Sequence, residues 1–514
     1  VTMHLTQGLH RAVQQNPDGV MTIYGDRTTT FGEAADRVAR LAGALRNLGV
    51  AQGDRVAILG LNSDRYGEYL LAVPWADAVV NPVNIGWRPA EIVYSLADAQ
   101  TSVLFIDDAF ASMLPALRAG YPALTTVIHY GEGPGPDGAL SYEELIATSA
   151  PIADARRGGD QLAGLFYTGG ATGFPKGVML SHTNVITSAL GALASAYRST
   201  SGARFLHAAP MFHLADLAGW TAQVILGGTH IIIPMFDPVV VLEAIAEHRV
   251  TDTLLVPVMF QLVVDHPARA DYDLSSLERI LYGASPISQA ALERALQAFP
   301  TAGFTQCYGM TELAPVATLL GPQDHAGRLL RSAGRAAPHV EIRIVDETGI
   351  VVPHYTVGEI IVSGANVMLG YWNCPSETAG VLRDGWMHTG DAGYVDDNGY
   401  LFVVDRIQDM ILSGGENVFS AEVENAVATH PSVASCAVIG VPDPQWGERV
   451  HAVVTCQPGA AITIDEVREH TKTLVAEYMA PRSLEIVTDL PISGAGKILK
   501  RELRDRYWGA DACQ

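Results

Sequence analysis

Short apolar runs rich in β-branched residues recur along the first four-fifths of the chain: RVAILG (55–60), SVLFID (102–107), LAGLFYT (162–168), THIIIP (229–234), DTLLVPV (252–258) and RILYGAS (279–285). Between them, segments such as FGEAADRVARLAGALRNLG (31–49) and ISQAALERALQAF (287–299) carry apolar positions at helical spacing. Strands alternating with helices predict stacked α/β layers with largely parallel sheets. The pattern changes near residue 335, where EIRIVDETG, GEIIVSG and YLFVVDR read as closely spaced strands of a small β subdomain over about 335–407. After Gln408 the segments SAEVENAVATHP, VASCAVIGVPD, ERVHAVVTCQ, IDEVREHTKTLVAEY and LEIVTDL read as a compact α+β unit. The expected organisation is an N-terminal domain over 1–407, a hinge at Gln408 and a smaller C-terminal domain over 409–514.

A chain of 514 residues is long enough for two or more domains and a large core. Acidic residues outnumber basic ones 55 to 33, a formal net charge of −22. That balance excludes a broad nucleic-acid or anionic-membrane surface, which needs clustered Lys and Arg. Any polyanionic ligand must therefore be held at a local site. The five cysteines lie far apart, form no C-x-x-C pair and are odd in number, a pattern of reduced thiols in a cytosol. The start, VTMHLTQGLHRAV, lacks the basic-then-apolar order of a secretory signal. The longest uncharged apolar candidate, WTAQVILGGTHIIIPMF (220–236), is short for a membrane span and broken by Gly-Gly and Pro. A soluble, cytoplasmic protein is expected.

The candidate chemistry begins at YTGGATGFPKGV (167–178), four glycines, a proline and one lysine between an apolar run and a helix-like segment. Such a loop can turn successive backbone N–H groups toward one anion, with Thr168, Thr172 and Lys176 adding hydroxyl donors and a point charge. It is not the P-loop of NTPases, because Gly177 stands where a Ser or Thr must follow the lysine. SGAGKI (493–498) fails the same test, with no hydroxyl residue after Lys497.

Further along come QCYGMTE (306–312), GWMHTGD (385–391), DRIQDMILSGGENVFSAEVE (405–424) and LPISGAGKILKREL (490–503). In this combination and order the chain resembles the adenylate-forming superfamily of acyl-CoA synthetases, peptide-synthetase adenylation domains and beetle luciferases. The resemblance runs from the phosphate loop to the C-terminal lysine. It implies that a carboxylate attacks the α-phosphorus of ATP, giving an acyl-adenylate and pyrophosphate, and that a thiol then displaces AMP. A carboxylate is ionised at neutral pH and needs no general base. The site is expected to supply cations and oriented donors instead.

The resemblance implies roles residue by residue. Lys176 and the loop residues Thr168, Gly169, Gly170, Thr172 and Gly173 would hold the phosphates, and Glu312, with Thr168, would hold Mg²⁺. Asp391 would accept from the ribose hydroxyls with Arg406 beside it, and Tyr308 would stack on adenine. Gly283, Ala284, Gly309 and Thr311 would complete the nucleotide site. Lys497 would bridge the substrate carboxylate and the α-phosphate. Rotation of the C-terminal domain about Gln408 would bring Gly414 and Gly415 to a pantetheine tunnel, with Tyr478 and Arg482 near coenzyme A. His213 is a candidate gate to an acyl pocket lined by Leu214, Ala215, Val258, Ala284, Cys307, Gly309 and Ala314, small or apolar residues that suit an uncharged acyl body. Asp216 nearby either faces that pocket or caps a helix.

The expected activity is ATP-dependent ligation of a hydrophobic carboxylic acid (fatty, aromatic or alicyclic) to coenzyme A, with ATP and Mg²⁺ required and a homodimer the expected assembly. The alternatives are an acyl-adenylate ligase loading a carrier-protein thiol and, in another class, a nucleotide-binding protein without catalysis. The chain departs from the resemblance at Gly169 and Ala171, where relatives carry Ser and Thr, and at Gln408, where they carry Asp or Lys. The lost hydroxyls predict weaker ATP affinity.

Overall fold

The computed structural model describes all residues except 1, 170–174, 196–199, 201, 286, 288, 493–497 and 509–514. Parallel pairing dominates a nine-stranded sheet in which Val20–Tyr24, Thr229–Ile232, Arg204–His207, Asp252–Leu255, Arg279–Gly283 and Gly303–Gly309 lie side by side. Antiparallel strands close its edges, with Arg27–Thr30 at one side and Val316–Leu320 and Arg335–Ala336 at the other. An eight-stranded sheet is likewise parallel through Val79–Pro82, Arg55–Leu59 and Val103–Ile106. Its other end is antiparallel, where Leu162–Thr168 meets Lys176–Ser181 and the latter meets Gly370–Tyr371.

The two sheets share a helix layer. Val38, Leu41 and Leu45 of helix Phe31–Asn47, Tyr69 of helix Asp64–Trp75 and Trp220 of helix Leu214–Leu226 pack in one apolar core with Val56 and Ile58 of one sheet and Ile232 of the other. Helix Phe31–Asn47 starts where Thr30 and Glu33 make a capping box, each satisfying the other's orphan backbone N–H. A five-stranded antiparallel sheet (Val340–Val345, Gly358–Gly364, Trp386–Val395, Leu401–Arg406, Leu382–Arg383) follows. Two short strands within 335–407 leave it: Arg335–Ala336 and Gly370–Tyr371 pair into the large sheets and tie the subdomain to them.

The strand expected over 252–258 stops at Leu255, because Pro257 takes the first position of helix Pro257–Val264, where its missing N–H costs nothing. The hairpin Val20–Tyr24/Arg27–Thr30 was not legible, since RTTT is polar and does not alternate. Beyond a 3₁₀ turn at Ile407–Asp409, a second five-stranded sheet of Glu416–Val418, Ile411–Ser413, Gly447–Cys456, Val433–Asp443 and Ser483–Ile486 builds its own core around Val418, Val423, Val438, Val450 and Val467. No helix among the described residues is long and apolar enough to cross a membrane.

Candidate active site

The glycine-rich loop hangs between two antiparallel strands whose last paired residues are Thr168 and Lys176. Gly170, Thr172 and Gly173, like Ala171, lie outside the described residues. At Gly169 no heavy atom of the described residues stands within 4 Å of where a Cβ would sit. Lys176 Nζ lies 5.4 Å from the centre of the Tyr371 ring, and the Tyr371 hydroxyl donates to Glu312 Oε1 at 2.8 Å. Burial, and after it the Glu312 carboxylate, push the Tyr371 phenol far above its ordinary range, so it stays a donor. The fold thus brings Lys176 and Glu312 together through a residue sequence reading missed. Its only signal was GYW (370–372), whose first two residues form a strand against the one carrying Lys176.

Glu312 is buried in the 3₁₀ turn Thr311–Leu313, and its carbonyl accepts from Met368 N at 2.8 Å. This donor set fits Mg²⁺ carried on a nucleotide, which takes one or two protein oxygens and fills its shell with phosphate and water. Among the described residues no cluster of three His, Cys, Asp or Glu offers a closed protein cage.

Four residues upstream of Glu312 in the same segment, the Tyr308 hydroxyl donates to Asp391 Oδ2 at 2.7 Å. Asp391 and Arg406 face each other across adjacent strands, with Arg406 Nε 3.7 Å from Asp391 Oδ1. Burial, then Asp391, keep the Tyr308 phenol protonated. The sequence expected Gly283 to make room for a base. The nearer obstacle is the chain itself: a Cβ at Gly283 would stand 2.1 Å from the Cys307 carbonyl oxygen, and one at Gly309 1.8 Å from that of Pro315. Ala284, next to Gly283, holds φ +67°, the left-handed region usually left to glycine.

His213 caps helix Leu214–Leu226, its Nδ1 accepting from Ala215 N at 3.2 Å. That contact leaves the proton of the neutral ring on Nε2. Ala215 and Cys307 pack in one small cluster with Phe205, Ala209, Leu254 and Leu281. Leu214 and Ala314 instead belong to the main core, and Val258 is 40% exposed on helix Pro257–Val264. Asp216 neither lines a surface nor caps: it is fully buried, 2.8 Å from His207 Nδ1.

Lys497 lies outside the described residues. Gly414 and Gly415 form the tip of the hairpin Ile411–Ser413/Glu416–Val418 at φ +65° and +86°, as its tight turn requires. A Cβ at Gly414 would touch Trp446, over which the Arg482 guanidinium stacks at 4.3 Å. Arg482 Nη1 donates to Ser413 Oγ and to the Tyr478 carbonyl, both at 3.2 Å. Gly414, Tyr478 and Arg482 are therefore neighbours, with Trp446 a partner that sequence reading missed. Gln408 sits in the 3₁₀ turn that links the domains.

A family model described as AMP-binding enzyme matches residues 9–372, and one described as AMP-binding enzyme C-terminal domain matches 422–497. The chain is 42% identical over 498 residues to a feruloyl-CoA synthase of Amycolatopsis sp, covering 97% of this chain and 98% of that protein. It is 35% identical to the fatty acid–[acyl-carrier-protein] ligase ScoC of Streptomyces coeruleorubidus, covering 99% and 97%. The o-succinylbenzoate CoA synthetase MenE of Bacillus subtilis, solved with its acyl-adenylate intermediate OSB-AMP, superposes with a TM-score of 0.86 at 30% identity, covering 97% of this chain and 98% of that one.

Proposed function

The chain belongs to the AMP-binding enzyme family, and from that premise we propose that it activates a hydrophobic carboxylic acid as an acyl-adenylate and transfers the acyl group to coenzyme A, releasing pyrophosphate and AMP. The observation that carries this reading is one short segment, Tyr308 to Glu312, with the Asp391–Arg406 pair at one end and the Tyr371–Lys176 contact at the other. Ribose hydroxyls at Asp391 and phosphates at Lys176 fit the two ends of one nucleotide.

The acid arrives ionised, so the protein's task is to hold two anions together long enough to react. Lys176 offsets phosphate charge on one side, and Lys497, by resemblance, spans carboxylate and α-phosphate on the other. A bound Mg²⁺, held at Glu312 with Thr168, would neutralise charge developing on the phosphates. The Tyr371 hydroxyl, donating to Glu312 Oε1, would help hold that carboxylate in place for the ion. The thiol then needs access along a path the leaving pyrophosphate has vacated, which rotation at Gln408 and the hairpin at Gly414 and Gly415 would supply.

Ala215, Cys307 and the apolar cluster around them support a hydrophobic acid. The likeness to a feruloyl-CoA synthase puts hydroxycinnamic acids first in a panel that also holds fatty and alicyclic acids. The likeness to a carrier-protein ligase keeps a protein-borne thiol as the second reading. The test is pyrophosphate release from ATP and Mg²⁺ across that panel, with and without coenzyme A, beside a Lys497→Ala control. Acid-dependent release with acyl-CoA formed only when coenzyme A is added is the expected result. Release without acyl-CoA favours the carrier-protein reading, and release in Lys497→Ala at the wild-type rate overturns the mechanism.

A further inference from the structure

A chain of fully buried polar side chains in the N-terminal domain lies apart from the residues placed around the nucleotide. His207, Asp216 and His230 are each fully buried, and they form a chain: His207 Nδ1 donates to Asp216 Oδ2 at 2.8 Å, and His207 Nε2 meets His230 Nδ1 at 3.0 Å. Trp220 closes the far side, its ring centre 4.0 Å from that of His230. Asp216 Oδ1, His230 Nε2 and the nearby Tyr66 hydroxyl have no hydrogen-bond partner among the described residues. Burial, and then His207, hold His230 well below its ordinary pKa, so it is neutral. Tyr66 is held protonated by burial and by the Asp216 charge. Burying a carboxylate and two imidazoles where apolar side chains would pack costs stability, and such groups are best understood by what they orient.

What they orient is a loop. His207 ends strand Arg204–His207, Asp216 sits in the first turn of helix Leu214–Leu226, and their hydrogen bond closes the nine-residue step between them. A second hold acts on the same loop from outside: Asn62 Nδ2 donates to the Ala209 carbonyl at 2.9 Å, and Asn62 Oδ1 accepts from Met211 N at 2.8 Å. Clasped at both places, the loop ends in His213, Leu214 and Ala215. Asp216 N also donates to the His213 carbonyl at 3.1 Å.

We propose that the Asp216–His207–His230 chain and Asn62 are positioning residues that clasp the loop 207–216 and so present His213 and Ala215 to the acyl group of the acid. The inference rests on the acid–thiol ligase reading above and deepens it. The clasp touches neither ATP nor the reacting atoms, so its loss should be felt by the acid alone.

Asp216→Ala is expected to raise the KM for the acid about ten-fold or more while the KM for ATP stays within about two-fold. Asp216→Asn, which keeps an oxygen for His207 Nδ1–H, should recover most of that loss. Because the effect runs through His213, it should shrink to less than about two-fold in a His213→Ala background. Asn62→Ala opens the loop without stranding a buried charge, and should reproduce the same acid-specific rise if Asp216→Ala does not fold. An Asn62→Ala or Asp216→Ala enzyme that folds with an unchanged KM for the acid, with equal losses for acid and ATP, or with an effect undiminished by His213→Ala, overturns the proposal. Failure of the ligase reading shows differently, as wild-type protein that releases no pyrophosphate with any acid. In that event amide hydrogen exchange over 208–217 decides: about ten-fold faster exchange in Asn62→Ala supports the clasp, and unchanged exchange overturns it.

Discussion

Arg504 Nη2 donates to Asp409 Oδ1 at 2.7 Å while its Nη1 donates to the Gln408 carbonyl oxygen at 2.9 Å. Both acceptors lie downstream of the rotatable bonds of Gln408, since turning φ or ψ of that residue carries its own carbonyl oxygen and all of Asp409 along. The last described helix, Lys500–Trp508, thereby grips the residues that follow those bonds, an arrangement compatible with the hinge proposed at Gln408. Arg504→Ala should slow both adenylate formation and thioester formation several-fold, roughly three to ten, without changing the KM for ATP. Arg504→Lys should recover little, because an ammonium cannot fork between two acceptors. Single-turnover rates of the two steps check this, and wild-type rates in both would remove Arg504 from the hinge.

Asp405 works in the opposite sense, because it lies upstream of the hinge and its partners lie downstream. Its Oδ2 accepts from the backbone N–H of Ser420, from Ser420 Oγ at 2.7 Å and from Ala421 N at 3.3 Å. Lys500 Nζ donates to that same Ser420 oxygen at 2.6 Å and pairs with Glu424 at 2.8 Å. The rotation proposed at Gln408 would break the Asp405 contacts, so on that reading they hold the present arrangement of the domains. Losing the charge in Asp405→Asn weakens this hold by ~1.5–3 kcal/mol, about a ten-fold or larger shift in population. One half-reaction should slow while the other holds or speeds up. Equal slowing of both in rapid-quench experiments would show that Asp405 serves stability alone.

The apolar runs were enough to place the strands Arg55–Leu59, Val103–Ile106, Leu162–Thr168, Thr229–Ile232, Asp252–Leu255 and Arg279–Gly283, because these obey their local preferences, but not their parallel neighbours Val79–Pro82, Arg204–His207 and Gly303–Gly309. The strand Arg27–Thr30 escaped because RTTT is polar and does not alternate, and Gly370–Tyr371 because a partner far along the chain, Lys176–Ser181, rather than its own two residues, makes it a strand. Lys176 was named from the glycine-rich loop and Glu312, Asp391 and Arg406 from motifs of the family resemblance, and the fold gathers all four around the segment Tyr308–Glu312. Tyr371, Trp446 and the clasp on 207–216 were not, because a phenol, an indole and a buried histidine have many structural uses. Only their partners, Glu312, Arg482 and Asp216, reveal which use applies.

Tyr371 offers a direct test of that site. Its hydroxyl is the described donor to Glu312 Oε1, and its ring faces Lys176. Tyr371→Phe keeps the ring and removes the donor to a charged acceptor, a loss of ~1.5–3 kcal/mol. We expect pyrophosphate release to fall about ten-fold or more and the Mg²⁺ concentration for half-maximal rate to shift, with the KM for the acid unchanged. A shift confined to the acid would place Tyr371 outside the phosphate site.

Gly169 lets the glycine-loop departure be tested alone. Its Cβ position meets no atom of the described residues within 4 Å, so Gly169→Ser is expected to be accepted by the fold. If the added hydroxyl reaches phosphate, the KM for ATP should fall about ten-fold, the equivalent of ~1.5 kcal/mol. Isothermal titration with a non-hydrolysable ATP analogue reads the same change without turnover. An unchanged affinity would mean that water already fills the serine's place.

The C-terminal domain should be acid-labile through one histidine. His451 is buried, with Nδ1 2.7 Å from Ser483 Oγ and Nε2 2.9 Å from the hydroxyl of Tyr507 on the terminal helix. Burial lowers its pKa from the ordinary 6.5 to about 4, against the opposing pull of Glu485. With the folded pKa depressed, the unfolded chain binds the proton more readily. The stabilisation is therefore complete above about pH 6.5 and is lost as pH falls toward about 4, on the order of 3 kcal/mol in all. Urea unfolding at pH 7 and at pH 4.5 should show this loss in the wild type. His451→Gln, which can hydrogen-bond to both neighbours without titrating, should show a smaller fall. Equal pH dependence in the two proteins would assign the acid lability to other groups.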